Sequence, residues 1–390
     1  MINIGILETH FHIKYLYTMM RICKTKNTRV TVFTTHEIYE RIQTYLEKTQ
    51  DYEIILKKTD ETENNYLKRV EQLCNQKIDL LFINTIQTSL KDAPHYIRFK
   101  PRSKMILTIH MVNHWLKAKF GFNIKNIFRS MDATLSILLI RTSILPKFNA
   151  ITVIYPPIKE FIQQQTSYKK PVYTLPFNFY DETKKIPQTK KKNTINIVLP
   201  GLIEEHRRDY AMTLQVFEKI FKKYNKKITL DILGKPVGKH GKKIIEKCKQ
   251  LKEKGYNIEY STSFIQENEY NQRIQQADII FSPLKIINKR DTGIVETYGT
   301  TEGSALPYEA VQYNKPLIVP EDFRIIKQLK TSTLTYKTAD DLEKLLQELI
   351  GNEDKLKNLK KQAEKNSKYF SLETVQEYFT REILNKLDQL

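Results

Sequence analysis

Two rhythms of apolar and polar positions alternate along the chain. Short β-branched runs form the first: INIGIL from Ile2, RVTVF from Arg29, YEIIL from Tyr52 and DLLFI from Asp79. Between them lie longer amphipathic stretches, reaching about Lys26, Lys48 and Asn75. Strands separated by helices predict a parallel sheet covered on both faces, and KMILTI from Lys104 and AITVI from Ala150 continue the pattern. The first half therefore reads as a Rossmann-like domain. The passage DETKKIPQTKKKNT, from Asp181 to Thr194, has no apolar periodicity and contains a proline, as a linker would. The pattern then restarts with INIVLPG from Ile195, a helix from Arg208 to about Tyr224, KITLDILG, a helix through Lys249, NIEYST, ADIIFSP, a helix through Tyr313, and KPLIVP. From Ala339 to Leu390 the spacing is helical, with Ser371 placed to cap a last helix that carries Glu373 in its first turn.

These elements predict an α/β chain of two Rossmann-like domains and C-terminal helices. The boundaries read as 1–182 for an N-terminal acceptor-side domain, 183–194 for a linker, 195–370 for a nucleotide-binding domain and 371–390 for the terminal helix. Two such domains turn the carboxyl ends of both sheets towards a central cleft, where open α/β sheets bind ligands.

Charge adds a local feature. The chain of 390 residues carries 64 basic against 44 acidic side chains, and between Asp92 and Asp132 it has no acid at all. Arg98, Lys100, Arg102, Lys104, Lys117, Lys119, Lys125 and Arg129 lie there among Tyr96, Phe99, Trp115, Phe120, Phe122 and Phe128. Residues 93–131 thus offer a surface for phosphates, whether of an anionic membrane, a nucleic acid or a nucleotide sugar. If Trp115 to Met131 is helical, Leu116, Phe120, Ile124, Ile127, Phe128 and Met131 share a face beside Lys117, Lys125 and Arg129; that face suits either a lipid interface or the core. Nucleic acid is the rival partner from another class, but no recognition-helix, zinc-finger or RNP-like motif accompanies the charge. Three scattered cysteines, Cys23, Cys74 and Cys248, fit a reducing compartment, and no apolar run approaches the roughly 20 residues of a membrane span. With Met1 leading directly into a strand, the expectation is a cytoplasmic protein, free or peripheral on the cytoplasmic face of a membrane.

Several familiar chemistries are missing. No GxGxxG follows the first strand, no GxxxxGK[ST] occurs, and there is no Asp-x-Asp, so neither a dinucleotide cofactor nor a divalent-metal site is expected. The informative loop is YGTTEGSALPYEAVQYNKPLIVP, from Tyr298 to Pro320. Gly303 and Ser304 precede a helix opened by Ala305, Leu306 and Pro307, whose free N–H groups form a phosphate or sugar site, and Glu309 lies two turns in, where it can accept from a vicinal diol. From these residues alone, an ordinary capped helix with a surface Glu is the simpler reading.

Glu302-Gly303-Ser304, then Glu309-Ala310 and Asn314-Lys315-Pro316, resembles the donor-binding signature of GT-B glycosyltransferases of the group 1, glycogen-synthase-like class. In that family two Glu residues have seven residues between them; here Glu302 and Glu309 have six, and strict spacing puts Thr301 first. PGLIEEHRRDY from Pro200 resembles a second element, a strand-end Gly-Arg followed by Lys-Gly at a helix start, with Leu202 in place of the arginine, Arg208 of the lysine and Asp209 of the glycine. The resemblance implies the GT-B fold and a hexosyltransferase, retaining and metal-independent, that moves a sugar from a UDP or GDP donor to a glycan or lipid-linked acceptor. It implies ribose binding by Glu309, donor contacts by Thr301, Gly303, Ser304 and Ala305, diphosphate binding by Arg207, Arg208 and Lys235, and catalytic roles for His110, Arg208 and Glu302. His10 and His12, in ETHFHIKY, line the acceptor side or simply begin a helix. The departures at Leu202 and Thr301 also leave room for a homologue of the same fold that transfers nothing.

Overall fold

The computed structural model describes residues 1–10, 12–46, 52–87, 89–117, 134–183, 194–289 and 293–390. Seven parallel strands form the first sheet: β1 (Ile2–Glu8), β2 (Thr28–Thr34), β3 (Glu53–Leu56), β4 (Leu80–Ile83), β5 (Lys104–Thr108), β6 (Ala150–Val153) and β7 (Val172–Thr174). Their order is 3-2-1-4-5-6-7. Ile4, Ile6, Leu81, Ile106 and Ile151 have no exposure, as expected of strands sandwiched between helices on both faces. The second sheet comprises β8 (Ile195–Pro200), β9 (Ile228–Leu233), β10 (Ile258–Tyr260) and β11 (Ile279–Phe281), then, past an antiparallel hairpin of β12 (Ile287–Lys289) and β13 (Val295–Thr297), β14 (Leu317–Pro320) and β15 (Thr333–Tyr336). Its order is 10-9-8-11-14-15. Each sheet reverses direction beside its own first strand, between β1 and β4 and between β8 and β11, and those two crevices are the places to look for ligands.

The chain end ties the halves together. Ser371 caps the helix Leu372–Glu382 by accepting from the amide of Thr374, as its sequence position predicts. That helix returns to the first sheet: Phe379 meets Phe82 with ring centroids 6.0 Å apart, and the Gln376 amide donates to the carbonyls of Arg21 and Lys24 at 2.8 and 2.7 Å. Beside it, Tyr180 and Ser371 form a β-bridge.

The basic, aromatic-rich stretch looks different once folded. Tyr96, Phe99 and Trp115 are all under 5% exposed and belong to the core, while Arg98, Lys100 and Arg102 stand outside. The described part of this surface therefore presents cations without the aromatic platforms on which bases stack. Lys119, Phe120, Phe122, Lys125, Phe128 and Arg129 lie outside the described residues, as do positions 184–193 of the expected linker. Among the described residues no helix is long and apolar enough to cross a membrane.

Candidate functional site

In the second domain, β8 runs into Gly201, whose φ of +107° is open to glycine and strained for other residues. The position has a packing reason as well. A Cβ there would fall 2.4 Å from Nη2 of Arg208, so only glycine lets the guanidinium lie across the strand end. Arg208 precedes the helix Tyr210–Tyr224, whose N-cap Asp209 accepts from the Met212 amide at 3.0 Å. The β-bridge between Arg208 and Leu284 and the Asp209 amide on the Pro283 carbonyl pin this turn against the segment after β11. The Arg208 side chain is 8% exposed; Nη1 donates to the Leu202 carbonyl at 3.2 Å and Nε has no hydrogen-bond partner. Arg207 is half exposed and ion-paired with Glu204, and Lys235 is exposed on the neighbouring loop.

The helix of the signature loop spans Leu306–Gln312, with Ala305 at its N-cap, no side-chain cap and Pro307 in its first turn. Glu309 falls in that first turn, one turn earlier than the sequence spacing suggests, because Ala305 stays outside the helix. Ser304 Oγ accepts from the Leu306 amide at 3.4 Å, the Met111–Glu302 bridge turns the Gly303 amide towards the His110 carbonyl, and the amides of Ser304 and Ala305 find no acceptor among the described residues. A Cβ on Gly303 would sit 2.5 Å from Cδ1 of Ile154, so this loop presses directly on the first domain. Glu309 is 6% exposed. Its Oε1 accepts from the Tyr270 hydroxyl at 2.8 Å and lies 3.8 Å from the Lys14 ammonium; its Oε2 accepts nothing. Burial, then the Glu309 carboxylate, push the Tyr270 phenol well above its ordinary value, and the more distant Arg208 charge acts against them.

The first domain contributes three imidazoles. Strand β5 ends at Thr108, and His110 follows in a bend rather than on the strand, its Nε2 3.2 Å from the Asn84 carbonyl. His12, at the N-cap of the helix Ile13–Cys23, stacks on His110 with centroids 4.3 Å apart, and Tyr15 meets His110 edge-on. Burial holds His110 down to about 4; burial first, then His110, His10 and Arg207, holds His12 down to about 2. His10 is also lowered, chiefly by burial, and its amide donates to Glu8 at 2.8 Å.

Thr301 and Glu302 are placed otherwise. The Thr301 hydroxyl accepts from the Thr297 amide at 2.8 Å, and its carbonyl accepts from the Val112 amide at 2.9 Å. Glu302 accepts from Asn288 at 2.8 Å and bridges to Met111. Both therefore join the β12–β13 hairpin to the first domain, in a loop that the hairpin displaces from the helix start. Sequence reasoning missed four further residues near these loops, Lys14, Tyr270, Glu296 and Asn84, of which the first three lack a sequence signal of their own. Glu296, fully buried on the hairpin, accepts from the amides of Asn113 and His114 at 3.3 and 2.9 Å, and burial pushes it up to about 7. Asn84 could have been suspected, as the polar residue closing the apolar run DLLFI at the reversal; it is fully buried with both side-chain atoms unpaired.

No family model matches the chain, and no curated protein is recognisably similar to it in sequence. Solved structures are similar to it in fold. S. aureus TarM, in a complex that includes UDP, superposes with a TM-score of 0.65 at 10% identity over 100% of both chains. Anabaena HepE in complex with UDP gives 0.63 at 10% identity, again over 100% of each. The N-terminal domain of Candida albicans trehalose-6-phosphate phosphatase gives 0.62 at 13% identity over 98% of this chain and 96% of its own. The chain has the GT-B fold. In a GT-B molecule the two crevices face each other, which here sets Arg208, Tyr270 and Glu309 against His12 and His110.

Proposed function

We propose that this GT-B chain is a glycosyltransferase that transfers a sugar from a nucleotide diphosphate to a glycan or lipid-linked acceptor. One observation carries the reading. Arg208 and Glu309, opposite charges each more than nine-tenths buried at the carboxyl-end loops of the second sheet, each keep one hydrogen-bonding atom empty. Buried charges are normally satisfied, so atoms left open at a strand-end crevice indicate a ligand that completes them. A nucleoside diphosphate does so: its ribose diol donates to Glu309 Oε2, and its phosphates accept from Arg208 and from the amides of Ser304 and Ala305, with Gly303 keeping the loop close to them. Arg207 and Lys235 lie at the lip and supply the second cation that Leu202 does not.

In the reaction, the bond between the sugar C1 and the diphosphate oxygen breaks and an acceptor hydroxyl oxygen bonds C1, its proton leaving with the diphosphate. Guanidinium and amide groups stabilise the charge that builds on the leaving oxygen, the electrostatic contribution for which other folds use a metal ion. The imidazoles, neutral at physiological pH, border the donor sugar through His110 and the acceptor through His12 and His10. Retention of configuration rests on the resemblance of the signature loop to the group 1 family.

UDP in the TarM and HepE complexes makes uridine the first base to try. Thermal melts with UDP, GDP and their sugars test the reading, since a ligand at 100 times its dissociation constant adds about 2.7 kcal/mol of stability. A shift with one base, lost in Glu309→Ala, supports it. Unchanged donor affinity in that variant removes the ribose assignment, and no shift with any nucleotide removes the enzyme.

A further inference from the structure

Outside the nucleotide crevice, the two domains enclose a second cavity of about 190 Å³ on the flank of the molecule. The helices Ile13–Cys23 and Glu267–Gln276 face each other across it, and the crossover around Asp181 closes one side. Lys14 and Glu267, paired at 3.2 Å, stand between this cavity and Glu309.

Its lining is unusual for a gap between domains. The rings of Tyr17 and Tyr45 lie 5.4 Å apart, and Phe179 stacks beyond Tyr17 at 6.4 Å, giving one aromatic wall. Asn271 and Gln275 bring amides from successive turns of one helix, and because Asn271 Oδ1 accepts from the Tyr313 hydroxyl, its amino group is the part left to donate. Asp181 keeps its Oδ1 for the amide and hydroxyl of Thr183, while its buried Oδ2 accepts no hydrogen bond and has Arg21 no nearer than 3.9 Å. Carboxylate oxygens and amides, which together accept and donate, match the paired hydroxyls of a polyol, and aromatic rings match the C–H face of a pyranose. The charge disfavours an anionic ligand. The lining holds two acids, Asp181 and Glu267, against the single cation Lys14, which already serves Glu267 and Glu309, and Arg21, 3.9 Å from Asp181, only offsets that acid. The volume is below the roughly 300–1,000 Å³ of drug-sized sites, leaving room for one small ring.

We infer that this flank cavity binds a neutral monosaccharide or polyol, at a site separate from the nucleotide crevice. Because both domains line it, the ligand favours the arrangement in which they are closed together.

Saturation-transfer NMR on the full chain, with glucose, galactose, N-acetylglucosamine and glycerol as probes and glucose 6-phosphate as the charged control, tests the inference. A neutral probe is expected to give a saturable signal that persists when UDP is added. Asp181→Ala and Asn271→Ala should each weaken it about tenfold, the loss of one hydrogen bond to a charged or buried group, without changing the UDP-induced thermal shift. No saturable signal from any neutral probe overturns the inference. So does displacement by UDP, equal binding of glucose 6-phosphate, or unchanged affinity in both variants. Loss of UDP binding with the sugar signal intact would instead count against the proposed transferase alone.

Discussion

Across the cleft, the second-domain wall presents buried charge with hydrogen-bonding atoms left open, whereas the first-domain wall presents imidazoles that burial keeps neutral. Arg208 and Glu309 typify the former, His12 and His110 the latter. Both walls sit at the same topological place, the reversal of a parallel sheet, so the fold alone does not make them different. What differs is the loop chemistry. Gly201 admits a guanidinium over a strand end in the second domain, while the first domain places rings at the corresponding position. One wall suits a charged diphosphate and the other the uncharged sugar and hydroxyl that react beside it.

The sharpest way to break this contrast is Arg208→Ala. Removing a preorganised donor to a leaving group costs about 10²- to 10³-fold in kcat, so turnover of the preferred nucleotide sugar should fall by that much. A near-normal rate would show that the second-domain charge is not where the diphosphate sits. Glu309→Gln comes next: with the carboxylate gone, nucleotide affinity measured by calorimetry should weaken about 10- to 100-fold. Tyr270→Phe, which removes a neutral donor from Oε1, should weaken it less than tenfold, and the order of these two effects sharpens the assignment of the ribose to Oε2.

pH separates the neutral wall from the domain interface. His12 and His110 are held to about 2 and about 4 against an ordinary 6.5. The unfolded chain therefore binds protons that the folded one does not, and this contribution to stability is complete above about pH 6.5 and drains away as pH falls towards 4. Glu296 runs the other way. Raised from 4.5 to about 7, it holds a proton that the unfolded chain has lost, so its contribution is complete at low pH and disappears as pH rises through about 7. Melting curves across this range should rise more steeply with pH in Glu296→Gln and less steeply in His110→Phe; parallel curves for all three proteins would mean that neither group is perturbed. The smallest effect belongs to Lys14→Met. Its ammonium pairs with the partly exposed Glu267 at 3.2 Å, a kind of pair that contributes about 1 kcal/mol or less, and stands 3.8 Å from the buried Glu309, beyond hydrogen-bond range, so nucleotide affinity should change by no more than a few-fold.

Local sequence patterns determined much of this molecule. Alternating apolar runs and amphipathic stretches specify two parallel sheets, because a strand covered on both faces must be apolar throughout and a helix packed on one side must be apolar on one stripe. The Gly-Ser-Ala-Leu-Pro run before Glu309 specified an uncapped helix start, and Ser371 specified the last cap, because each acts within four residues of itself. Only the tertiary structure decided the rest. Sequence resemblance assigned Thr301 a donor contact and Glu302 a catalytic role, but only the fold showed that the β12–β13 hairpin engages them with Val112 and Asn288. Glu296, Tyr270 and Lys14 acquire their roles from partners far away in the chain. Tyr96, Phe99 and Trp115, which follow no strand or helix rhythm that marks them as core, are drawn inside by neighbours that composition does not reveal. A hydrogen bond or a buried charge has meaning only with its partner in place, and which distant residues become partners is settled when the two sheets close on each other.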